Sequence, residues 1–369
     1  MSRPLIKLLI ALSLTLVGLS AHAADITGSL TIGTGYLENP LGVSNDTAAG
    51  YLSQSLRLSS IFGADKESNQ AFKLGYEGNA SQFGNETQLG NMRHGVGAEW
   101  FRSSPDRLKR LSAGAQFSYR GYEDYYQIYD YTDFYTYLAF KRNLGANYMT
   151  KGFAALRVRT YGELPEESYI EPHGKLEIQR YFESRVTVGL SGRFGAKYYN
   201  DSVASSVWGT PNLPSISQVA ARLNIAKGMS DRVAVRGWVD SRWNLSDFPR
   251  YVAEDVFDSP LLDAYAHEGI DAFAAMKVLG PAQVWLEVGA TMGDHDYGSL
   301  LFASDSGGQT RDDEVYEYFA SAERALGGKK DAPKLRMVGG WRDQQSTIDS
   351  YTYAGMFFSS SLTWRFRTL

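Results

Sequence analysis

The last stretch of the chain, MFFSSSLTWRFRTL from Met356 to Leu369, constrains the fold most strongly because two chemical classes of side chain alternate along it. One class is serine, threonine and arginine, and the other is apolar, comprising Met356, Phe358, Leu362, Trp364 and Phe366. A repeat of two residues is typical of a β-strand, whose successive side chains point to opposite faces. The stretch is therefore predicted to be a strand with apolar surroundings on one face and water on the other.

The first 23 residues have the layout of an export signal. A basic start with Arg3 and Lys7 is followed by an apolar run from Leu8 to Leu19 and by small residues around Ala23. This order is typical of a secretory signal peptide, and the run is shorter than the ~20 residues that a membrane-spanning helix needs. We expect residues 1–23 to be a signal peptide and residues 24–369 to form a single domain, because no repeat divides them.

Composition excludes several classes of protein. The chain has no cysteine, so disulfides, thiol catalysis and cysteine metal sites are excluded. The formal net charge is −4 and no polybasic tail is present, which argues against nucleic acid as a partner. Clustered carboxylates lack the spacing of a calcium loop, so no metal and no cofactor is expected. A mean hydropathy of −0.30 still permits a membrane barrel, because only alternate residues of each strand meet lipid.

Alternating segments recur along the whole chain after the signal, and we count about sixteen strands, with a range of fourteen to eighteen. The links between them are alternately short, as in Phe182 to Ser184, and long, as in Gly162 to His173, Asn244 to Gly269 and Gly293 to Glu314. Short turns face the periplasm and long loops face the exterior in bacterial membrane barrels. The predicted fold class is all-β, a transmembrane antiparallel up-and-down β-barrel with both chain ends on the periplasmic side.

The ending of the chain resembles the terminal strand of Gram-negative outer-membrane β-barrels, in which alternate apolar residues close on an aromatic residue. Leu362, Trp364 and Phe366 occupy these positions, although the family pattern usually stops at the aromatic residue and here Arg367 follows. The resemblance implies an outer-membrane location in contact with lipid and lipopolysaccharide. It also implies that the three residues are an assembly signal for the barrel-insertion machinery.

The segment from Arg232 to Trp243 indicates which face is polar, because Val233 and Val239 alternate with Arg236 and Asp240. An arginine facing lipid near the midplane would cost roughly 2–4 kcal/mol, so the charged set is predicted to face the lumen. The same argument on the other strands gives a lumen lining rich in arginine: Arg157, Arg159, Lys175, Glu177, Arg193, Arg222, Arg236, Asp240, Arg242, Glu287, Glu317, Arg336, Arg342 and Arg365.

A barrel of this size can hold an aqueous channel, and a basic wall raises the local concentration of anions. The function predicted is an outer-membrane pore or transport conduit with a mild preference for anions. A plainer interpretation of the same charges is that arginines and carboxylates on neighbouring strands pair and brace the wall. The long link after Asn244 is a possible constriction loop, because its apolar Phe248, Phe257 and Leu261 need a surface to pack against.

Two other functions stay open at this stage. The barrel can be the outer-membrane component of an envelope machine for polysaccharide export, secretion or motility, held by periplasmic or envelope-complex proteins. It can also be an outer-rim hydrolase, since Asp294-His295-Asp296 places a potential base between carboxylates. Adjacent residues of an extended chain point in opposite directions, and no serine motif accompanies His173 or His267, so no catalytic residue is assigned.

One aromatic region, Ser118 to Ala139, is unusually rich in tyrosine. Tyrosine rings can bind sugar faces, with Glu123, Asp124 and Asp130 as nearby acceptors. The preferred interpretation is an outer aromatic girdle combined with a tyrosine-rich hairpin that packs on itself.

Overall fold

A computed structural model of the chain describes residues 26–38, 48–63, 69–84, 89–200, 215–245, 267–301, 310–328 and 331–367. The predicted signal peptide, residues 1–23, lies outside the described residues. The same is true of the proposed constriction residues Phe248, Phe257 and Leu261.

The described residues form sixteen strands, as the alternation predicted. In chain order they are β1 (Ile26–Leu37), β2 (Ala49–Phe62), β3 (Gln70–Phe83), β4 (Asn91–Ser103), β5 (Lys109–Tyr122), β6 (Tyr131–Leu144), β7 (Tyr148–Tyr161), β8 (Tyr169–Tyr181), β9 (Val186–Tyr199), β10 (Ser215–Gly228), β11 (Val233–Asn244), β12 (Glu268–Leu279), β13 (Trp285–Leu301), β14 (Thr310–Ala325), β15 (Lys334–Ser346) and β16 (Tyr353–Arg367).

Each strand pairs antiparallel with its neighbours in the chain, and β1 pairs with β16 to close the sheet into a barrel. The terminal strand β16 therefore completes the wall, with Leu362 opposite Ile32 and Trp364 opposite Leu30. Closure leaves no strand edge unpaired, which is the condition for a sheet to cross a bilayer. The predicted fold class is confirmed.

The two faces of the wall differ as the alternation predicted. On β11, Val239 is 48% exposed and its neighbour Asp240 is 0% exposed. Leu286 and Leu362, on β13 and β16, are exposed in the same way. An isolated barrel that exposes a continuous apolar outer face needs lipid to cover it. Among the described residues, no helix is both long and apolar enough to cross a bilayer.

Short turns join the strands at one end of the barrel, which also carries the start of β1 and the end of β16. One of these turns, between β6 and β7, is made possible by Gly145, which has a positive φ of 70°. The strand ends that lead into the long connections lie at the opposite end. By the usual rule for such barrels, the short-turn end faces the periplasm.

Two of the predicted loops were wrong in part. β8 begins at Tyr169, so His173 lies on a strand, and β13 runs through Asp294, His295 and Asp296, which pair with Asp312 to Glu314 of β14. The alternation fails there for a physical reason. Once a strand projects beyond the hydrocarbon it has water on both faces, and neither face needs to be apolar.

The tyrosine-rich region packs on itself, and the girdle interpretation was wrong for three of its residues. Tyr126, Tyr129 and Tyr131 are buried, around a short 3-10 helix at Asp124–Tyr129. Tyr126 contacts Tyr129 with ring centroids 5.9 Å apart. Tyr131 packs against Tyr161 at 5.7 Å. These rings brace the outer end of the inner wall.

Candidate functional site: the charged lumen wall

The inner face of β9 to β11 is organised around one buried carboxylate, that of Asp240. Strand register places Arg222 directly opposite Asp240, and Arg193 reaches the same carboxylate from β9. The Nε of Arg222 donates to Oδ1 at 3.1 Å, and the Nε of Arg242 donates to Oδ2 at 3.3 Å. Three guanidinium groups therefore surround a carboxylate that has no exposed surface.

A second carboxylate, that of Asp271 on β12, lies directly opposite Asp240 in register. Like charges in this position repel, and the pair is tolerated because Arg242 bridges them. Its Nη2 lies 2.7 Å from Asp271 Oδ2. The Nε2 of His295 lies 2.8 Å from Asp271 Oδ1, and the His295 ring packs on His267 with centroids 4.2 Å apart. The network thus runs continuously from β9 to β13.

An aromatic row lies beside this network on the inner face. The ring of Trp238 is nearly parallel to that of Phe273, with centroids 5.6 Å apart, and Phe273 is nearly parallel to Phe319 at 6.2 Å. The guanidinium of Arg222 lies 4.2 Å from the Trp238 centroid. Arg236 lies 5.2 Å from the centroid of Phe273 and also pairs with Glu287. Cation–π contacts of this kind hold the arginines against the wall.

A further braced region covers the outer part of β6 to β8. Arg157 pairs with Glu171 at 2.9 Å and with Asp133 at 3.5 Å, and Arg159 pairs with Asp133 at 3.4 Å. The Arg159 guanidinium also lies 3.9 Å from the ring centroid of Tyr131. Nearer the periplasmic end, Lys175 and Lys151 both pair with Glu177, at 2.8 Å and 3.5 Å.

At the outer end of β14, Arg311 and Asp313 form a buried ion pair, with the Nε of Arg311 2.9 Å from Asp313 Oδ2. Gln344 donates to the same carboxylate at 3.0 Å. The Arg311 guanidinium stacks on Tyr351, 3.5 Å from its ring centroid. Burial raises the pKa of the Tyr351 phenol, which stays neutral. This cluster ties the turn before β16 to the barrel wall.

The structure thus brings most of the predicted lumen residues into ion pairs with one another. The pairs formed within the predicted set join Arg193, Arg222 and Arg242 to Asp240, Arg236 to Glu287, and Lys175 to Glu177. Glu317 lies opposite Arg342 in register, but the Arg342 guanidinium donates to Gln344 at 3.2 Å. Arg336 and Arg365 are exposed and form no ion pair with any residue that the structure describes.

An open cavity of about 460 Å³ runs along the wall on the opposite side of the barrel, over β1 to β6. Ser29, Arg57, Lys73, Glu99 and Arg365 are among the residues that line it. Ser59, Gly75, Gly95 and Gly97 also line the cavity, and these small residues leave space beside the wall. The lumen therefore has one side braced by ion pairs and another side with an open cavity.

Sequence reasoning missed several residues of the wall. Asp133, Glu171 and His295 were not assigned to the lumen, because they lie in segments that were predicted to be links between strands. Asp271 was overlooked, although it follows the outward Ile270 on β12 and therefore faces inward. The aromatic row was missed for another reason, since inward phenylalanine looks the same in sequence as outward phenylalanine. Parity along β12 could have placed Phe273 inside, because Asp271 and Lys277 share its face. Within the described ranges, no group of carboxylates and histidines could hold a metal ion.

Comparison with known proteins gives matches in structure alone. No protein-family model and no curated protein matches the sequence. The solved structure of OpdL from Pseudomonas aeruginosa aligns with a TM-score of 0.54 at 11% identity, covering 94% of this chain and 99% of that one. OccAB1 from Acinetobacter baumannii aligns with a TM-score of 0.55 at 13% identity, covering 93% and 97%. OccAB3 from the same organism aligns with a TM-score of 0.52 at 11% identity, covering 94% and 99%. The chain accordingly has the closed-barrel fold of the OprD/Occ outer-membrane porins.

Proposed function

We propose that the protein is a pore or transport conduit in the outer membrane of a Gram-negative bacterium, with periplasmic chain ends and long external loops. The observation that carries the proposal is a closed sixteen-strand wall, apolar outside and charged inside, with an open cavity along one side. Eight-strand barrels are filled by their own side chains, whereas barrels of sixteen strands leave an aqueous channel. The likeness in fold to the OprD/Occ porins supports the same class of function.

Most of the predicted lumen residues would then stabilise the barrel wall through ion pairs between strands and would not bind a solute. In the network around Asp240 and Asp271, two carboxylates offset most of the charge of three arginines, and an offset charge contributes little field at a distance. Selectivity would instead come from the inner-face cations that form no ion pair in the described chain, which include the exposed Arg336 and Arg365 and the half-buried Lys73. Their field favours small anions in the channel.

Charge reversal of two of these cations tests the proposal. In planar bilayers under a potassium chloride gradient, the reversal potential of the wild type should give a chloride-to-potassium permeability ratio above unity. The variant R336E/R365E should lower the ratio below unity, because the only change is the sign of charge beside the channel. The control K227E/R324E changes the same charge on the outer face and should leave the ratio near the wild-type value. A wild type that conducts no ions would overturn the pore proposal.

The alternatives gain no specific support from the described residues. His295, the candidate base of an outer-rim hydrolase, is held between Asp271 and His267 in the wall network, so we propose no enzymatic role. No surface in the described chain points to a particular partner in an envelope machine.

We also propose that Leu362, Trp364 and Phe366 serve as the assembly signal for the barrel-insertion machinery. Leu362 and Trp364 are exposed on the outer face. The Phe366 ring lies against the backbone of Gly28 in the first strand, directly opposite in register, and so covers the seam where the barrel closes. F366A should therefore reduce the folded fraction in cells, measured by heat-dependent gel mobility, more than F358A does on the same strand and face. Equal yields for the two variants would contradict this role.

A further inference from the structure

The outer face of β4 to β8 has a cationic patch at its periplasmic end. The other outward positions of these five strands are apolar or small, apart from His94, Tyr119 and Tyr148, and they include no carboxylate. The four cations on this face all lie at the periplasmic ends of their strands, and we call them the basic arc: Arg102, Lys109, Arg142 and Arg180. Nothing in the pore uses these side chains, because they point away from the lumen.

The position of the basic arc relative to the apolar band indicates its depth in the membrane. Leu111, Phe140 and Ile178 are exposed on the outer face, each two residues toward the barrel centre from a cation of the arc. Two residues of a strand span about 7 Å, and Leu144 is exposed on the outer face two residues beyond Arg142, so the arc lies at the edge of the hydrocarbon, from which long cationic side chains reach the lipid head groups.

Two members of the arc face each other without a counter-charge between them. Lys109 on β5 and Arg142 on β6 are directly opposite in register. Like charges in this position destabilise a sheet, and the repulsion is relieved if an anion sits between them. Neither side chain forms an ion pair with any carboxylate in the described part of the chain.

Arg180 is held at the same level by aromatic rings. Tyr148 lies directly opposite Arg180 in register, and the guanidinium is 5.3 Å from its ring centroid and 4.5 Å from that of Phe182. Tyrosine beside arginine at a membrane interface is the usual arrangement for anchoring at head-group level. The contacts hold the guanidinium in place while leaving its N–H donors available to a ligand.

The carboxylates nearest in sequence to the basic arc do not form ion pairs with it. Glu99 and Glu177 lie on the inner face, where they pair with Arg110 and with Lys151 and Lys175. Asp106, in the turn before β5, accepts hydrogen bonds from the Ser104 hydroxyl and from the Leu108 backbone N–H. The hydrogen bond from Ser104 is the main reason why the pKa of Asp106 lies below its usual range. Lys109 makes a smaller contribution to the low pKa of Asp106 through its charge, but no ion pair joins the arc to Asp106, or to Glu183 in the turn after β8, in the described chain.

We propose that the basic arc binds the phosphate of an anionic phospholipid in the periplasmic leaflet of the outer membrane, with Lys109 and Arg142 as the primary phosphate ligands. The acyl chains would lie on the apolar surface around Leu111 and Phe140, and Arg180 and Arg102 would flank the head group. A phospholipid is favoured over the phosphates of lipopolysaccharide because the arc lies at the short-turn end of the barrel, away from the outer leaflet.

The test compares lipid retention by two variants that lose equal charge from the same end of the outer face. K109Q/R142Q removes the opposed pair, and K227Q/R324Q removes two cations that lie opposite only apolar residues in register. Detergent-solubilised full-length protein is titrated with phosphatidylglycerol, diacylglycerol or lipid A, and bound lipid is counted by native mass spectrometry. Folding of each variant is checked by heat-dependent gel mobility.

The wild type should bind phosphatidylglycerol in preference to diacylglycerol and lipid A, and K109Q/R142Q should weaken that binding by about tenfold. The variant K227Q/R324Q should bind like the wild type. Equal loss in both variants, a wild type that binds diacylglycerol as well as phosphatidylglycerol, or a preference for lipid A would overturn the proposal. If K109Q/R142Q does not fold, R180Q replaces it, and R180Q is also expected to bind phosphatidylglycerol more weakly than the wild type. The preference of the wild type among the three lipids tests the proposal without any variant.

Discussion

Replacement of Asp240 by alanine is expected to lower the free energy of unfolding by about 3 kcal/mol. The carboxylate is fully buried and is the shared partner of Arg193, Arg222 and Arg242, so its removal leaves Arg193 and Arg222 without a counter-ion, while Arg242 keeps Asp271. The effect should fall at the low end of the range for buried pairs, because the arginines are part-exposed and can turn toward lumen water. Equilibrium urea unfolding in phospholipid vesicles, followed by tryptophan fluorescence, measures the change.

A matched control removes a carboxylate of the same wall that serves a single, more exposed arginine. Glu287 pairs with Arg236, whose side chain is 58% exposed. Exposed pairs contribute little, so E287Q should change the unfolding free energy by less than about 1 kcal/mol. If D240A is no less stable than E287Q, the Asp240 network does not brace the barrel in the way described.

Arginine at position 223 is expected to cost about 2–4 kcal/mol of stability, or to prevent insertion altogether. Leu223 is 53% exposed in the middle of the outer face of β10, where an arginine would have to sit in hydrocarbon. The neighbouring variant N224R places the same side chain on the inner face and should be tolerated much better. The same vesicle unfolding measurement applies to both variants, with heat-dependent gel mobility reporting the inserted fraction.

Comparing the stability losses of L223R and N224R tests whether the outer face of the barrel contacts lipid. Helix or strand propensity cannot explain a difference between them, because the introduced residue is the same and the positions are adjacent. A larger loss for N224R than for L223R would reverse the assignment of the two faces.

The sixteen strands could be predicted from sequence because every strand carries the same physical constraint. Lipid requires apolar side chains at alternate positions, so Val239 and Asp240 could be assigned to opposite faces from their order alone. The constraint ends where hydrocarbon ends, which is why the strand through His295 was interpreted as a loop.

The pairing within the lumen wall was much harder to predict. Arg222 and Asp240 are directly opposite in register, but Arg193 reaches Asp240 from two strands away. Alternation predicts which face a residue occupies but does not predict the pairing register between neighbouring strands. It therefore could not distinguish a carboxylate shared by several arginines from isolated charges. The aromatic row from Trp238 to Phe319 required the register for the same reason.

The natural chain has no cysteine, so single thiols can be placed on either face without any background. Ser361 faces the lumen opposite Arg336, and its neighbour Leu362 faces outward and is exposed. In planar bilayers, a charged, water-soluble methanethiosulfonate reagent should modify S361C and reduce its ionic current, and should leave the current of L362C unchanged. Rapid modification of L362C with no effect on S361C would contradict the assignment of an aqueous lumen and a lipid-covered exterior.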